Sequence, residues 1–302
     1  MFLKPRDVPQ ELQKLRSLDM RMRLLPEDKR YYLNLEKGFD GEVAFDAKLV
    51  ELKPECLILA DLLLEQNFSL FQIDTLVLFK KNIHLFEIKN FEGDFDIKAD
   101  HWSLLSGEEI KNPLLQLKRS ESLFRQLLHR HLKISIPIHP HLVFVNPHFT
   151  LYNATPDMPI LFASQIDRFI KKLNGNSSKI TQNNIQIGNQ LASRHRTDSP
   201  FSRLLDYNYA QLKKGIVCAW CASWMIAGER KMLCNKCGNI EDNETAIMRH
   251  VEEFKALFPE QKITTNTIRD WCGDIVSSKK VQRVLAKNFN RVNHGKVSYY
   301  ID

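Results

Sequence analysis

Three apolar runs of strand length follow one another between residues 55 and 90, ECLILADLLL, QIDTLVLFK and NIHLFEIKN, and they limit the fold more than any other feature of the chain. They are rich in Leu, Ile, Val and Phe and read as consecutive strands. From Gly38 the segment GFDGEVAFDAKLVEL reads as a turn followed by a helix. After the strands, residues 112–131 open on an Asn-Pro start signal and carry Leu and Phe at helical spacing, which predicts a long helix. HPHLVFVNP and MPILFA then read as two further strands, and SQIDRFIKKL as a closing helix. An order of α-β-β-β-α-β predicts an α/β fold with a mixed sheet flanked by helices.

Charges placed inside those apolar strands need an explanation. Asp74 interrupts QIDTLVLF, where a charge requires a partner or a metal to offset its desolvation. Glu87 and Lys89 stand two apart in HLFEIKN, so they project from the same face of a strand. A hairpin through Lys80–Asn82 would bring Asp74 to that face as well. This grouping suits phosphodiester hydrolysis: carboxylates hold Mg²⁺ (or Mn²⁺), which polarises the phosphate. A lysine beside the metal can orient or deprotonate the water and offset charge on the pentavalent transition state. Glu42 could supply another carboxylate and Gln116 could position water or phosphate. An Asp followed thirteen residues later by E-x-K is by itself a weak signal, and a salt-bridged pair of sheet residues explains it equally well.

The complete ordered set is more specific. G-x-x-G-E, Q-I-D-T-L-V, F-E-I-K-N-F-x-G and N-P-L-x-Q together closely resemble the nuclease-related domain, NERD, of the PD-(D/E)xK superfamily, over roughly Gly38 to Leu173. The resemblance implies a restriction-endonuclease-like fold and DNA cleavage. It places Glu42, Asp74, Glu87 and Lys89 at the family's acidic and lysine active-site positions and Gln116 at its downstream glutamine. Asn90 and Gly93 match the K-N-x-x-G that follows the lysine, as a turn. Because similar folds can lose or change chemistry, a DNA-binding or regulatory protein with a catalytically weak nuclease fold, or an RNA nuclease, is the alternative.

Four of the six cysteines fall in two pairs. Cys218, Cys221, Cys234 and Cys237 make C-x₂-C-x₁₂-C-x₂-C, a spacing suited to one tetrahedral structural zinc in a ribbon, with Gly238 easing the turn after the second knuckle. Cys56, in a strand, and Cys272, in a helix, read as small core residues. Beyond them, NTIRDWCGDIVSSKKVQRVLAKNF reads as a helix ending at Gly273 and a second, basic helix capped by Ser277 or Ser278. With the hairpin HGKVSYYID as a wing, this suggests a helix-turn-helix-like module that contacts DNA through Lys279, Lys280, Arg283, Lys287 and Arg291, with Asn290 and Lys296 as further phosphate contacts. A small helical cap with solvated lysines is the competing reading.

Charge is divided unevenly. Residues 1–175 carry 24 Lys+Arg against 24 Asp+Glu, and residues 176–302 carry 19 against 12, so the net +7 lies entirely in the C-terminal part and suits a polyanionic partner. The expected organisation is a helical leader (1–36), the nuclease-related domain (37–175), a polar linker or extension (176–214), a zinc ribbon (215–240) and the helix-turn-helix-like module (241–302). The apolar runs fall short of the roughly 18 residues that a membrane span needs, and the N-terminus lacks a secretory h-region, so no membrane association and a cytoplasmic location are expected. His129, His131, His139, His141 and His148 read as surface or helix-capping residues rather than ligands, and Trp220, Trp224 and Trp271 as core residues of small domains.

Overall fold

The computed structural model describes every residue except 99–100, 176–178, 198–202, 204 and 295–296; Lys296, read above as a phosphate contact, therefore lies outside the described residues. After a short opening strand, β1 (Phe2–Lys4), the three apolar runs form β2 (Leu57–Gln66), β3 (Ser69–Leu78) and β4 (Ile83–Lys89). Next come β5 (Gly93–Lys98), β6 (His101–Leu104), β7 (Glu109–Ile110), β8 (Ile138–Phe144), β9 (Phe149–Tyr152) and β10 (Ile160–Phe162). The helices of this part of the chain are α1 (Gln10–Arg21), α2 (Pro26–Leu49), α3 (Pro113–Leu127), α4 (Ala163–Asn174) and α5 (Gln182–Ser193).

The chain divides into two compact units. Met1–Val8 and Leu33–Ser202 make one unit, Pro9–Tyr32 and Arg203–Asp302 the other, so the residues read as a leader are shared between them. In the first unit a six-stranded mixed sheet has the order β1-β2-β3-β4-β8-β10. β2, β3 and β4 are antiparallel neighbours, while β1, β8 and β10 pair parallel. Its two faces are both apolar. Phe45 and Leu49 of α2 and Ile166, Ile170 and Leu173 of α4 cover one face, packing on Ile58, Val77, Phe86 and Val143. Leu117, Phe124 and Leu127 of α3 and Ile187 and Leu191 of α5 cover the other, on Leu57, Leu59, Leu76, Leu85 and Leu142. Each such fully buried aliphatic side chain contributes roughly 1.5–3 kcal/mol, and burial on both faces explains why β2 and β4 read as near-continuous apolar runs.

Three local features differ from the sequence reading. Gly38 and Gly41 do not begin a turn: α2 runs through both, since a lone glycine costs a helix only about 1 kcal/mol. Gly41 is buried, and a Cβ there would lie 2.6 Å from Cβ of Asn90, so its bareness lets α2 approach the end of β4. Residues 182–193, within the expected polar linker, form α5. Thr181 caps it, and Ile187 and Leu191, one turn apart, reach the core. β5, β6 and β7, between β4 and α3, join β9 from beyond α3 in a second sheet of order β7-β6-β5-β9, whose short, charge-bearing strands give little periodicity to read.

The second unit contains a three-stranded sheet, β11 (Ile226–Ala227), β12 (Lys231–Leu233) and β13 (Ile240–Asp242), then α6 (Asn243–Leu257), α7 (Thr265–Trp271) and α8 (Ser278–Asn288), and the hairpin β14 (Asn290–His294) with β15 (Val297–Ile301). Its core gathers Ile247, Val251, Phe254, Ile268, Trp271, Val281 and Leu285. Arg21 is wholly buried there, bonded to Glu253 and to the carbonyls of Lys213 and Gly215, with its guanidinium 3.9 Å from the Trp271 ring centroid. Among the described residues no helix is long and apolar enough to cross a membrane.

Candidate active site and metal centre

The strand pleat and one irregularity build the site. Glu87 and Lys89 follow Ile83 and Leu85 on the face of β4 that α3 covers, because residues two apart share a face. The β3–β4 ladder ends at Thr75–Phe86, so the next step brings Asp74 opposite Glu87, and Asp74 Oδ2 accepts the Ile88 N–H at 2.7 Å. On its other side the β2–β3 ladder skips the step Asp61–Asp74, where Asp61 takes φ +52°. As a result Leu59 and Leu62, three apart, reach one core, and so do Ile73 and Leu76. A break of this kind re-aims side chains. α3 starts on Asn112, whose Oδ1 accepts from Leu114 N at 2.9 Å and Leu115 N at 3.4 Å, with Pro113 in the first turn. That start sets Gln116 beside Lys89.

Lys89 Nζ lies 2.7 Å from Glu87 Oε1 and 3.2 Å from Gln116 Oε1. Glu87 is 1% exposed and Asp74 6%. Glu42, one residue beyond Gly41, is held by Arg6 Nη1. Arg6 had no signal in the sequence, yet its side chain is almost wholly buried. It also bonds Asp46 at 2.8 Å, the carbonyl of Asp74 at 2.7 Å and Thr75 Oγ1 at 2.9 Å. Asp61 is a further carboxylate the reading passed over; it accepts from Gln72 Nε2 at 2.9 Å and its charge bears on both Glu42 and Asp74.

Burial first, and the charge of Asp74 second, push the Glu87 carboxyl up to about 8 and that of Glu42 up to about 9. Burial raises Asp74 as well. Lys89 is itself buried, which opposes its charge, but Glu87 and Asp74 outweigh that and hold it above its ordinary value. Buried carboxylate oxygens that repel one another form a donor set matched to a hard divalent cation. Mg²⁺ is commonly held by one or two carboxylates together with water and substrate phosphate, and Asp74 and Glu87 fit that role.

The four cysteines are, among the described residues, the one group of three or more ligating side chains whose donor atoms all lie within 4.8 Å of one another. Sγ of Cys218 is 3.7 Å from Sγ of Cys237, and Sγ of Cys221 is 3.4 Å from Sγ of Cys234. With Zn–S near 2.3 Å a tetrahedron has sulfur–sulfur edges of about 3.8 Å, so the cluster is compatible with a zinc ribbon. Backbone Trp220 N and side-chain Asn239 Nδ2 point at Cys218 Sγ, and hydrogen bonds from Ser223 lower the Cys221 thiol to about 6, both of which favour thiolate. Gly238 takes φ +74° after the second knuckle, while Ala222 takes φ +56° after the first. Cys56 and Cys272 are buried, Cys56 just before β2 and Cys272 at the C-cap of α7.

Ser277 caps α8, whose Val281, Val284 and Leu285 face the core. Lys279, Arg283, Lys287 and Arg291 are exposed and Lys280 is half-buried. Lys280 bonds the Glu229 carbonyl, Lys287 pairs with Glu244, and Arg291 with Ser298 Oγ. Of the three tryptophans read as core, Trp271 is core, but Trp220, inside the first knuckle, is 83% exposed and Trp224, bridged to Val217, is 40% exposed. His129, His131, His139 and His148 are exposed. His141 departs from a surface role: it stacks on His84, with Nε2 2.9 Å from His84 Nδ1, and burial lowers the two to about 3 and about 4.

A search of curated proteins returned no match, and neither did a search of solved structures. Residues 37–145, which contain α2 from Lys37 onward and every residue of the Asp74–Glu87–Lys89–Gln116 constellation, match the family model of the nuclease-related domain, NERD.

Proposed function

We propose that the protein is a divalent-metal-dependent nuclease that hydrolyses phosphodiester bonds in DNA, in DNA processing or repair. The observation that carries this reading is the grouping of Lys89 Nζ with Glu87 and Gln116, next to a buried Asp74, inside a nuclease-related domain. Asp74 and Glu87 would hold Mg²⁺ or Mn²⁺, which when bound supplies Lewis-acid polarisation of the scissile phosphate. Lys89 stays charged, so its part is to donate to a phosphate oxygen and offset the charge that grows on the pentavalent phosphorus, rather than to take a proton. Gln116 keeps the ammonium aimed through its Oε1, and its side chain also hydrogen-bonds the Glu87 carboxyl. Arg6 is a positioning residue: it clamps Glu42 and the backbone of Asp74 together.

The second unit would carry a structural zinc on Cys218, Cys221, Cys234 and Cys237. It would contribute affinity for the DNA backbone through Lys279, Lys280, Arg283, Lys287 and Arg291. Incubation of purified full-length protein with circular and linear DNA in Mg²⁺ or Mn²⁺ tests the reading. Cleavage should require the cation and fall at least a hundredfold in Asp74→Ala and Lys89→Ala; equal rates in wild type and Asp74→Ala would end it. Substituting Lys279 and Arg283 by Glu should weaken DNA binding at low salt and flatten its salt dependence.

A further inference from the structure

Phe68 is 99% exposed, more than any other large hydrophobic side chain described, and it sits in the two-residue turn between β2 and β3. Its φ is +59° and that of Asn67 is +50°. Glycine and asparagine suit such positions; a bulky aromatic there is an outlier that costs strain and gains no packing. The neighbours hold the turn firmly. Gln66 is buried and donates to Asn67 Oδ1 at 3.2 Å, Arg130 Nη1 donates to the same oxygen at 3.1 Å, and Arg119 Nη2 donates to the Leu70 carbonyl at 3.1 Å. A strained, exposed ring on a rigid mount is shaped for a partner rather than for the fold.

The surroundings say which partner. Lys118, Arg119, Arg125, Arg130 and Lys133 are all exposed along α3 and the segment that follows it. The acids beside them, Glu121 and Glu65, are each paired with an arginine, Arg125 and Arg196. Arg125 and Arg130 also line a cleft of about 400 Å³, with His129 and Ser135 over Leu128 and Ile136. An aromatic ring set among arginines on a basic surface is the chemistry of a nucleic-acid strand, whose bases stack and whose phosphates pair.

We propose that Phe68 stacks on an unpaired base of the strand whose phosphate lies at Asp74, with Arg119 and Arg130 on the flanking phosphates. This rests on the nucleic-acid reading above and adds a substrate preference to it: strands with an unpaired base at a fixed distance from the cut. Asp74 on β3 lies six residues beyond Phe68 in the turn before that strand, at most about 20 Å at ~3.3 Å per residue, which spans about six nucleotides of a stacked strand at ~3.4 Å each.

The test uses full-length protein with Ca²⁺ replacing Mg²⁺, labelled single strands of 4 and 20 nucleotides, and a 20-base-pair duplex, read by fluorescence anisotropy. Phe68→Ala should weaken binding of the 20-mer single strand about tenfold, while affecting the 4-mer and the duplex less than twofold. Phe68→Trp should restore it. Phe68→Gly should lose binding like alanine yet raise the melting temperature, because it removes the positive-φ strain. A Phe68→Ala protein that binds the 20-mer like wild type overturns the proposal, and so does a loss shared equally by the duplex or accompanied by a lower melting temperature. Loss of self-association in sedimentation with unchanged nucleic-acid binding also overturns it, assigning the ring to a protein contact. If wild type binds no nucleic acid, the nuclease reading fails together with this one; if wild type binds and cuts and Phe68→Ala does the same, only this one fails.

Discussion

Replacing Glu87 by glutamine separates an active-site carboxylate from a structural salt bridge. The side chain is 1% exposed, and burial with the neighbouring Asp74 holds its carboxyl near 8 instead of 4.5. At about 1.4 kcal/mol per pH unit of displacement, keeping or burying that carboxyl at pH 7 costs the folded state on the order of 3 kcal/mol. Glutamine fills the same space without the charge. Its amide oxygen can still accept from Lys89 at the 2.7 Å contact but without the charge assistance, while Lys89 keeps Gln116 and the charge of Asp74. The net expectation is that Glu87→Gln is more stable than wild type by about 1–2 kcal/mol at pH 7 without added divalent cation, and inactive. Because the folded-state carboxyl is raised, the folded state retains a proton between pH 4.5 and about 8 that the unfolded chain has released, so wild-type stability falls as pH rises through that window. The advantage of the variant should therefore be small at pH 5 and largest near pH 8. Urea unfolding at pH 5, 7 and 8, with and without Mg²⁺, reads all of this: Mg²⁺ should raise the wild-type midpoint and leave the variant's alone. A variant less stable than wild type by more than about 1 kcal/mol at pH 8 without Mg²⁺ would mean that the Glu87–Lys89 pair is structural, and would refute the reasoning.

Two neighbouring glycines should respond with opposite sign. Gly41→Ala forces a Cβ to 2.6 Å from Asn90 and should lose about 1–2 kcal/mol and most cleavage by displacing Glu42, whereas Gly38→Ala, with nothing within 4 Å, should gain about 0.5–1 kcal/mol of helix stability; thermal melts of the pair check both. The His84–His141 stack, faced by His139 and Lys172 and by the rings of Phe86 and Phe169, has depressed folded-state values, so its contribution is complete above pH 6.5 and is lost as pH falls toward 4. A His84→Phe/His141→Phe protein should lose about 2–4 kcal/mol less than wild type between pH 7 and 5, and parallel losses would remove the assignment. For the cysteines, metal analysis should find one zinc per chain, and Cys221→Ser should abolish it and loosen the core around Met232 and Cys234; a zinc-free, reduced sample with an unchanged melting curve would count against the site.

What could be read from the chain was local. The strands β2 to β4 announced themselves through length and apolar content, α3 through Asn112-Pro113 and its Leu/Phe spacing, and the cysteine cluster through spacing alone. What could not be read depends on distant segments meeting. Arg6 lies in an unremarkable FLKPRD segment and matters because parallel pairing of β1 with β2 delivers it to Glu42 and Asp74, 36 and 68 residues away. Asp61 looks like one charge in an apolar run until the ladder breaks opposite Asp74. α5 hides in an Asn- and Gln-rich stretch because only Ile187 and Leu191 among its longer side chains are buried apolar ones, while Gly188 touches Leu3 and Leu57. Trp220 looked like core because tryptophan usually is; which way a knuckle residue faces is decided by the sulfurs, which composition does not encode.

The central claim is that Asp74 and Glu87 hold the reaction's cation, and anomalous scattering from crystals soaked in Mn²⁺ tests it most directly. A zinc held by Cys218, Cys221, Cys234 and Cys237 would serve as an internal reference in the same data. A manganese peak between the carboxylates of Asp74 and Glu87, absent in Asp74→Ala crystals, is the predicted result. A full zinc peak with no manganese at those carboxylates, in crystals soaked with DNA present, would contradict it.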